Sequence, residues 1–163
     1  MNKSDGKFLD SCRVDETNDF NGPVSKALYE YWNEKLQQSG ENGPIFSDID
    51  LIDIYDIAPY IVVKDILNGG ENYLNRYWGT GIAQAFGYDS TGMLLSDYYD
   101  DAHIKQLHDL YELIVSAKRP IKISGNAEFY VNKEYLTFES AHLPLYDNDG
   151  KPKHILLGYD FNI

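Results

Sequence analysis

The stretch Tyr73–Gly92, YLNRYWGTGIAQAFGYDSTG, decides how the rest of the chain is read. Tyr73, Tyr77 and Trp78 give its opening the aromatic bulk of a strand, which stops at Gly79-Thr80-Gly81. One helical turn follows, Ile82-Ala83-Gln84-Ala85-Phe86, and Gly87 stands where a residue tolerant of positive φ ends a helix. Tyr88 and a Ser90-Thr91-Gly92 turn lead into the next apolar segment. A strand followed by short, glycine-punctuated helical turns wraps around a space; it does not lay one long helix on a sheet.

Working outward, Ile61–Leu67 (IVVKDIL) reads as a strand, and Asn68-Gly69-Gly70-Glu71-Asn72 as the turn that makes it a hairpin with the strand from Tyr73. Upstream, Asp48, Asp50, Asp53 and Asp56 alternate with apolar residues. Ser47 or Asp48 is placed to cap a short helix there, and the segment lacks the central glycine and bidentate glutamate of a calcium loop. Gly22-Pro23 opens a helix with proline in its first turn, where a missing N–H costs nothing. Its apolar stripe is Val24, Leu28, Tyr31, Trp32 and Leu36, and Gly40 ends it. Two readings of the stripe stand: it covers one face of its own sheet, or it is a dimer or partner surface. Residues 1 to 21 are polar and aperiodic and read as a mobile tail, leaving 22–163 as a single domain.

Downstream, a helix is expected from about Asp100 or Asp101, with Ile104, Leu107, Tyr111, Ile114 and Val115 as its buried stripe and Pro120 as its stop. Residues 121 to 131 alternate strictly, with apolar or small side chains at odd positions, as a half-buried antiparallel strand does. Turns at Asn132-Lys133 and Asp147–Gly150 separate it from two more strands, Tyr135–Tyr146 and His154–Phe161. The class is α+β: five antiparallel strands near 60–67, 73–79, 121–131, 134–146 and 153–161, with helices between the second and third.

Several short motifs fall in a telling order: Tyr31-Trp32 on the leading helix, Arg76 in a strand ending Gly79-Thr80, then Phe86-Gly87, Thr91-Gly92 and Pro144-Leu145. In this the chain resembles the PAS fold, and more narrowly a family of small stand-alone bacterial PAS-like domains, over about residues 25 to 162. The resemblance implies a sheet whose first strand lies between the second and fifth. It also implies helices over one face enclosing a pocket, and a leading helix on the other face. It further implies a non-catalytic sensory or signalling domain that binds a small molecule or a protein, and that passes its signal to a separate protein. Two alternatives remain open: a small enzyme on a ketosteroid-isomerase-like α+β cone, and a structural domain whose pocket is filled by its own side chains.

The candidate ligand-binding residues are Arg76, Tyr77, Phe86, His108, Tyr111, Phe138, Ser140 and His142; the candidate dimer residues are Val24, Leu28, Tyr31, Trp32 and Leu36. By simple alternation Arg76 shares a face with Leu74 and Trp78. It needs a carboxylate, an aromatic face or an anionic ligand, and the acids at 47–56 are ready partners. His108 sits near where haem-binding PAS domains place an axial histidine, but no further haem motif surrounds it. Ser140 and His142, two apart on a strand, point the same way and are expected to lie too far apart to pair, and no serine elbow frames them. Flavin and related photosensors of this class need a cysteine in the helical region, whereas the only one here is Cys12. No cofactor and no metal site are therefore expected, and the single cysteine excludes an internal disulfide. A net charge of −12 disfavours nucleic acid and anionic membrane as partners. With no apolar run in the first thirty residues, a cytoplasmic location is the expectation.

Overall fold

A computed structural model describes residues 12–97, 101–127 and 133–163 of the chain. The described residues form one antiparallel sheet of six strands in the order β1-β4-β5-β6-β2-β3. The strands are β1 (Cys12–Glu16), β2 (Ile61–Leu67), β3 (Asn72–Trp78), β4 (Ile121–Ala127), β5 (Lys133–Tyr146) and β6 (Pro152–Phe161). The expected placing of the first hairpin strand holds: β2 lies between β3 and β6. Among the described residues, three helices, α1 (Pro23–Gln38), α2 (Thr80–Phe86) and α3 (Asp101–Ala117), accompany the sheet, with short 3₁₀ turns at Phe46–Asp48, Leu51–Ile54, Ala58–Tyr60 and Leu95–Asp97. A β2 flanked by β3 and β6, with α2 and α3 inserted between β3 and β4, sets the ketosteroid-isomerase-like cone aside.

The sheet separates two apolar layers. On its inner face, Val62, Tyr73, Trp78, Ile121, Ile123, Phe138, Ile155, Leu157 and Tyr159 pack with Ile82 and Phe86 of α2 and Leu107, Leu110, Tyr111 and Ile114 of α3. On its outer face, Leu28 and Trp32 of α1 pack on Ile61, Val63, Leu143, Leu145 and Leu156. The alternation read from the sequence is thus realised strand by strand: Ile121, Ile123 and Ala127 are buried, and Ile155, Leu157, Tyr159 and Phe161 share the inner face. Residues 128–132, the end of that alternating run and part of its turn, lie outside the described residues.

Cys12–Glu16 corrects the reading of residues 12 to 21 as tail. These residues pair in register with β4, Val14 opposite Ile123 and Glu16 opposite Ile121, and close that edge of the sheet. Residues 1–11 lie outside the described residues.

Where the backbone donors of α1 go explains how that helix is fixed. Pro23 has no N–H, and the first intrahelical bond runs from Lys26 N to Gly22 O at 2.9 Å. The remaining donors of the first turn find two carboxylates of the sheet. Gly22 N donates to Glu139 Oε2 at 2.7 Å, while Val24 N and Ser25 N donate to the two oxygens of Asp160 at 2.8 Å each. Asn21 N joins them on Glu139 at 3.1 Å. Glu139 and Asp160 face each other across β5 and β6, so the sheet itself carries the cap. Gly22 is required by this closeness: a Cβ there would overlap the Asp160 carboxylate. Asp160→Ala strands two buried N–H groups and is expected to lower stability by about 1–3 kcal/mol, with Asp160→Asn losing less. Urea unfolding of the two variants measures it.

Gly87 ends α2 as expected, at φ +89° with its N–H on Ala83 O. The acids at 47–56 cap turns as read, Asp48 among them, with Asp50 in addition. Asp50 accepts from Ile52 N at 2.9 Å, Asp48 accepts from Ile45 N at 2.9 Å, and Asp53 accepts from the Tyr31 hydroxyl at 3.1 Å. α1 stops at Gln38 with Ser39 as its cap, one residue short of the expected Gly40.

Candidate functional site on the inner face

A β-bulge decides which side chains face inward. Val62 pairs with Trp78 and Val63 with Tyr77, but Lys64 pairs with Asn75, so Arg76 is the extra residue of β3. Before the bulge, Tyr73 and Asn75 point to the inner face; after it, Trp78 does, and Tyr77 packs on the outer layer. Simple alternation groups Tyr73, Asn75 and Tyr77 together, and the bulge breaks that grouping.

Arg76 and Tyr77 are therefore not inner-face residues. Arg76 Nε and Nη2 clasp Asp65 at 2.9 and 2.7 Å, and its guanidinium lies 5.5 Å over the Phe46 ring. Its carboxylate partner comes from β2, not from the 47–56 segment. Asp65 Oδ1 also accepts from His154 Nδ1 at 2.7 Å, and the His154 ring lies 4.9 Å from Phe46. Burial, the dominant influence, lowers the His154 pKa against the upward pull of Asp65. The Tyr77 hydroxyl donates to Ala58 O at 2.9 Å.

The inner face holds a polar group that the sequence reading missed. Lys64 is 3% exposed, in the middle of a strand whose other inward-facing side chains are apolar, with Asp65 beside it turned to the outer face. Its ammonium donates to Asn75 Oδ1 at 2.7 Å and lies 5.1 Å from the Tyr111 ring and 5.8 Å from that of Trp78. Among the described residues no carboxylate forms an ion pair with it. Desolvation brings its pKa down from 10.5 to about 7. Asn75 is itself anchored: its Nδ2 donates to Ser90 O at 3.3 Å, its N–H to Met93 O, and its C=O accepts from Gly92 N at 2.7 Å. The Thr91-Gly92 turn thus holds the side chain that holds Lys64.

On β5, Ser140 Oγ and His142 Nε2 are 2.8 Å apart, against the expectation that they lie too far apart to pair. The imidazole is long enough to bend back along the strand and meet a hydroxyl two residues away on the same face. Among the described residues no acid orients the other ring nitrogen: His142 Nδ1 is buried with no hydrogen-bond partner there. Burial first, and the Lys64 charge second, push the His142 pKa down to about 3, so the ring is neutral across the physiological range. A base so weak does not activate a serine, and the pair is not a hydrolytic dyad.

Phe86, Tyr111 and Phe138 all lie in the inner layer, Phe86 within 5.9 Å of both Trp78 and Tyr159, ring to ring. His108 sits on α3, half-buried, with its ring 5.6 Å from Tyr73. Of the eight expected ligand residues, Phe86, Tyr111, Phe138, Ser140 and His142 share the inner layer, His108 flanks it, and Arg76 and Tyr77 lie behind the sheet. Lys64, Asn75, Trp78 and Ser90 are the additions. Trp78 Nε1 and Ser90 Oγ are buried and, like His142 Nδ1, have no hydrogen-bond partner among the described residues. The one sequence signal for this group was a lysine inside the strand IVVKDIL, between Val63 and Asp65.

The expected dimer residues divide as well. Leu28 and Trp32 are buried on the helix's own sheet. Val24 and Leu36 are partly buried on the same layer, and Tyr31 bonds Asp53. Among the described residues, no helix is long and apolar enough to cross a membrane.

The solved structures similar to the chain include the following two. One is the PAS domain of the histidine kinase ThkA, 18% identical with a TM-score of 0.44, over 62% of this chain and 96% of that one. The other is an RNA-binding light-oxygen-voltage receptor, 12% identical with a TM-score of 0.49, over 91% of this chain and 38% of that one. A search of the curated proteins returns no match. The family model described as PAS domain matches residues 21–159, from the cap of α1 through β6. With that match across nearly the whole described fold, the chain belongs to the PAS domain family.

Proposed function

We propose that this PAS domain is a non-catalytic sensory domain that takes a small molecule on the inner face of its sheet, against α2 and α3. The observation that carries the reading is Lys64: a buried ammonium whose hydrogen-bond partner is a neutral amide, on the same face as three buried polar atoms with no partner among the described residues. Buried polar groups in folded proteins are normally satisfied, so a cluster of unsatisfied ones calls for a ligand or ordered water. β2 also offers a route outward. Lys64 faces inward, and the next residue, Asp65, holds Arg76 and His154 on the outer face, the side on which α1 docks. A ligand that moves Lys64 then biases the outer network and the surface offered to a signalling protein. The acidic charge fits a protein or small-molecule partner and not nucleic acid, and the lone cysteine fits a cytoplasmic location.

Native mass spectrometry of the purified full chain tests this. A mass exceeding that of the chain by a few hundred daltons, lost on denaturation, is the expected result. A bare mass, unchanged after incubation with cell extract, favours a domain whose interior is filled by its own side chains.

A further inference from the structure

Every unpaired polar atom identified on the inner face can donate. The Lys64 ammonium has N–H groups beyond the one given to Asn75. Trp78 Nε1 is a donor only. Ser90 Oγ carries a hydroxyl proton, and when the Ser140 hydroxyl donates to His142 Nε2 the ring proton sits on Nδ1. These donors are set among Tyr73, Phe86, Tyr111 and Ile114, all buried. We propose that the inner face binds a small organic monoanion: a carboxylic acid with an apolar or aromatic body, its carboxylate on Lys64 and its body against the rings of Trp78 and Tyr111. This rests on the sensory reading above and names the ligand class.

The charge count selects a carboxylate over a phosphate. One ammonium balances one negative charge, and His142, being neutral, adds a hydrogen bond and no charge. A phosphate dianion there would leave a second charge buried and uncompensated. The cation–π contacts select the body: both rings flank the ammonium, so whatever reaches it passes along aromatic faces. The titratable groups around Lys64 are His142 on β5 and Tyr111 on α3, with Tyr73 on β3 and Glu112 on α3 beyond them. Lys64 titrates at about 7 when the site is unliganded, so an anion that needs the charged form binds with proton uptake and weakens as pH rises.

The test titrates the full chain with acetate, hexanoate, benzoate and indole-3-acetate, with the matching amides and with inorganic phosphate. Binding is followed by calorimetry at pH 6.5 and 8.5, in the wild type and in Lys64→Met. At least one acid is expected to bind tenfold or more tightly than its amide at pH 6.5. It should lose about tenfold at pH 8.5 and lose its advantage over the amide in Lys64→Met. If that variant does not fold, Trp78→Phe, which removes the indole N–H and part of the ring, is expected to weaken acid and amide but to cut the acid's advantage over the amide several-fold. Amides that match their acids overturn the carboxylate class and leave the sensory reading standing. Phosphate binding as tightly as the best acid, or an acid preference that survives Lys64→Met, also overturns the class. If neither series binds and the native mass is bare, both readings fall together.

Discussion

Lys64→Met is expected to stabilise the protein at pH 6.5 and below, an unusual outcome for a substitution at a buried position. The wild-type lysine is brought from a pKa of 10.5 to about 7 by desolvation, which corresponds to on the order of 5 kcal/mol of penalty on the charged form. Methionine keeps the length and apolar stem and removes the charge. It also removes the N–H that Asn75 Oδ1 accepts, which takes back part of the gain. A net rise of about 1–4 kcal/mol follows, or several degrees in Tm for a domain of this size. The sign of the pH dependence is distinctive. Below pH 7 the lysine is protonated in both folded and unfolded chains, and the penalty is full. Between pH 7 and 10.5 the unfolded chain holds a proton that the folded one has lost, so wild-type stability climbs with pH. The advantage of the methionine variant therefore shrinks from pH 6.5 to 9. His142 acts in the same sense at the acid end: from pH 6.5 down to about 3 the unfolded chain takes up a proton that the native ring refuses, and stability falls. Thermal melts of both proteins across pH 5 to 9 measure all of this. A Lys64→Met protein that is less stable at pH 6.5, or whose difference from wild type is flat with pH, shows that Lys64 is a well-compensated structural cation.

How far these features were legible in the sequence depends on what each one rests on. The motifs that carry the resemblance each turn out to do a local job that their residue types announce. Gly87 takes a positive φ, and Gly92 donates back to Asn75. Gly79 sits where a Cβ would collide with the backbone of Pro59, and the Pro144 carbonyl accepts from Trp32. Strands whose faces differ, such as β4, reveal themselves through their period. β1 could not, because CRVDE is short and half polar and is held at an edge by pairing with β4, a long-range fact. The direction of Arg76 depended on one extra residue in one strand, which inverts every face assignment beyond it and leaves no mark in the local pattern. The site was hardest for a related reason. Ser140 and His142 were placed on one face and expected not to pair, and Lys64 becomes a functional candidate only once β3, α3 and the 90–93 turn are seen to close around it without bringing a carboxylate among the described residues.

Trp32→Ala is expected to cost about 3–5 kcal/mol, the range for emptying a large buried aromatic site. Trp32 is 3% exposed and packs in the outer layer with Leu28, Val63, Leu143, Leu145 and Leu156. Its indole N–H donates to Pro144 O at 2.9 Å, tying the middle of α1 to β5, while Glu139 and Asp160 tie its start to β5 and β6. Truncation removes the ring, opens a cavity between helix and sheet, and leaves the Pro144 carbonyl without that donor. The loss is a test of what α1 is for. A helix that covers its own sheet is docked within one chain, so the cost appears as a lower urea midpoint that does not depend on protein concentration. A helix shared between two copies gives a concentration-dependent midpoint in the wild type, and the variant shifts the sedimentation coefficient towards monomer while its sheet stays folded. The burial of Leu28 and Trp32 within the chain predicts the first pattern. Wild-type protein sedimenting as a dimer at low micromolar concentration, and converted to a stable monomer by Trp32→Ala, would instead place α1 at an interface and reverse that assignment.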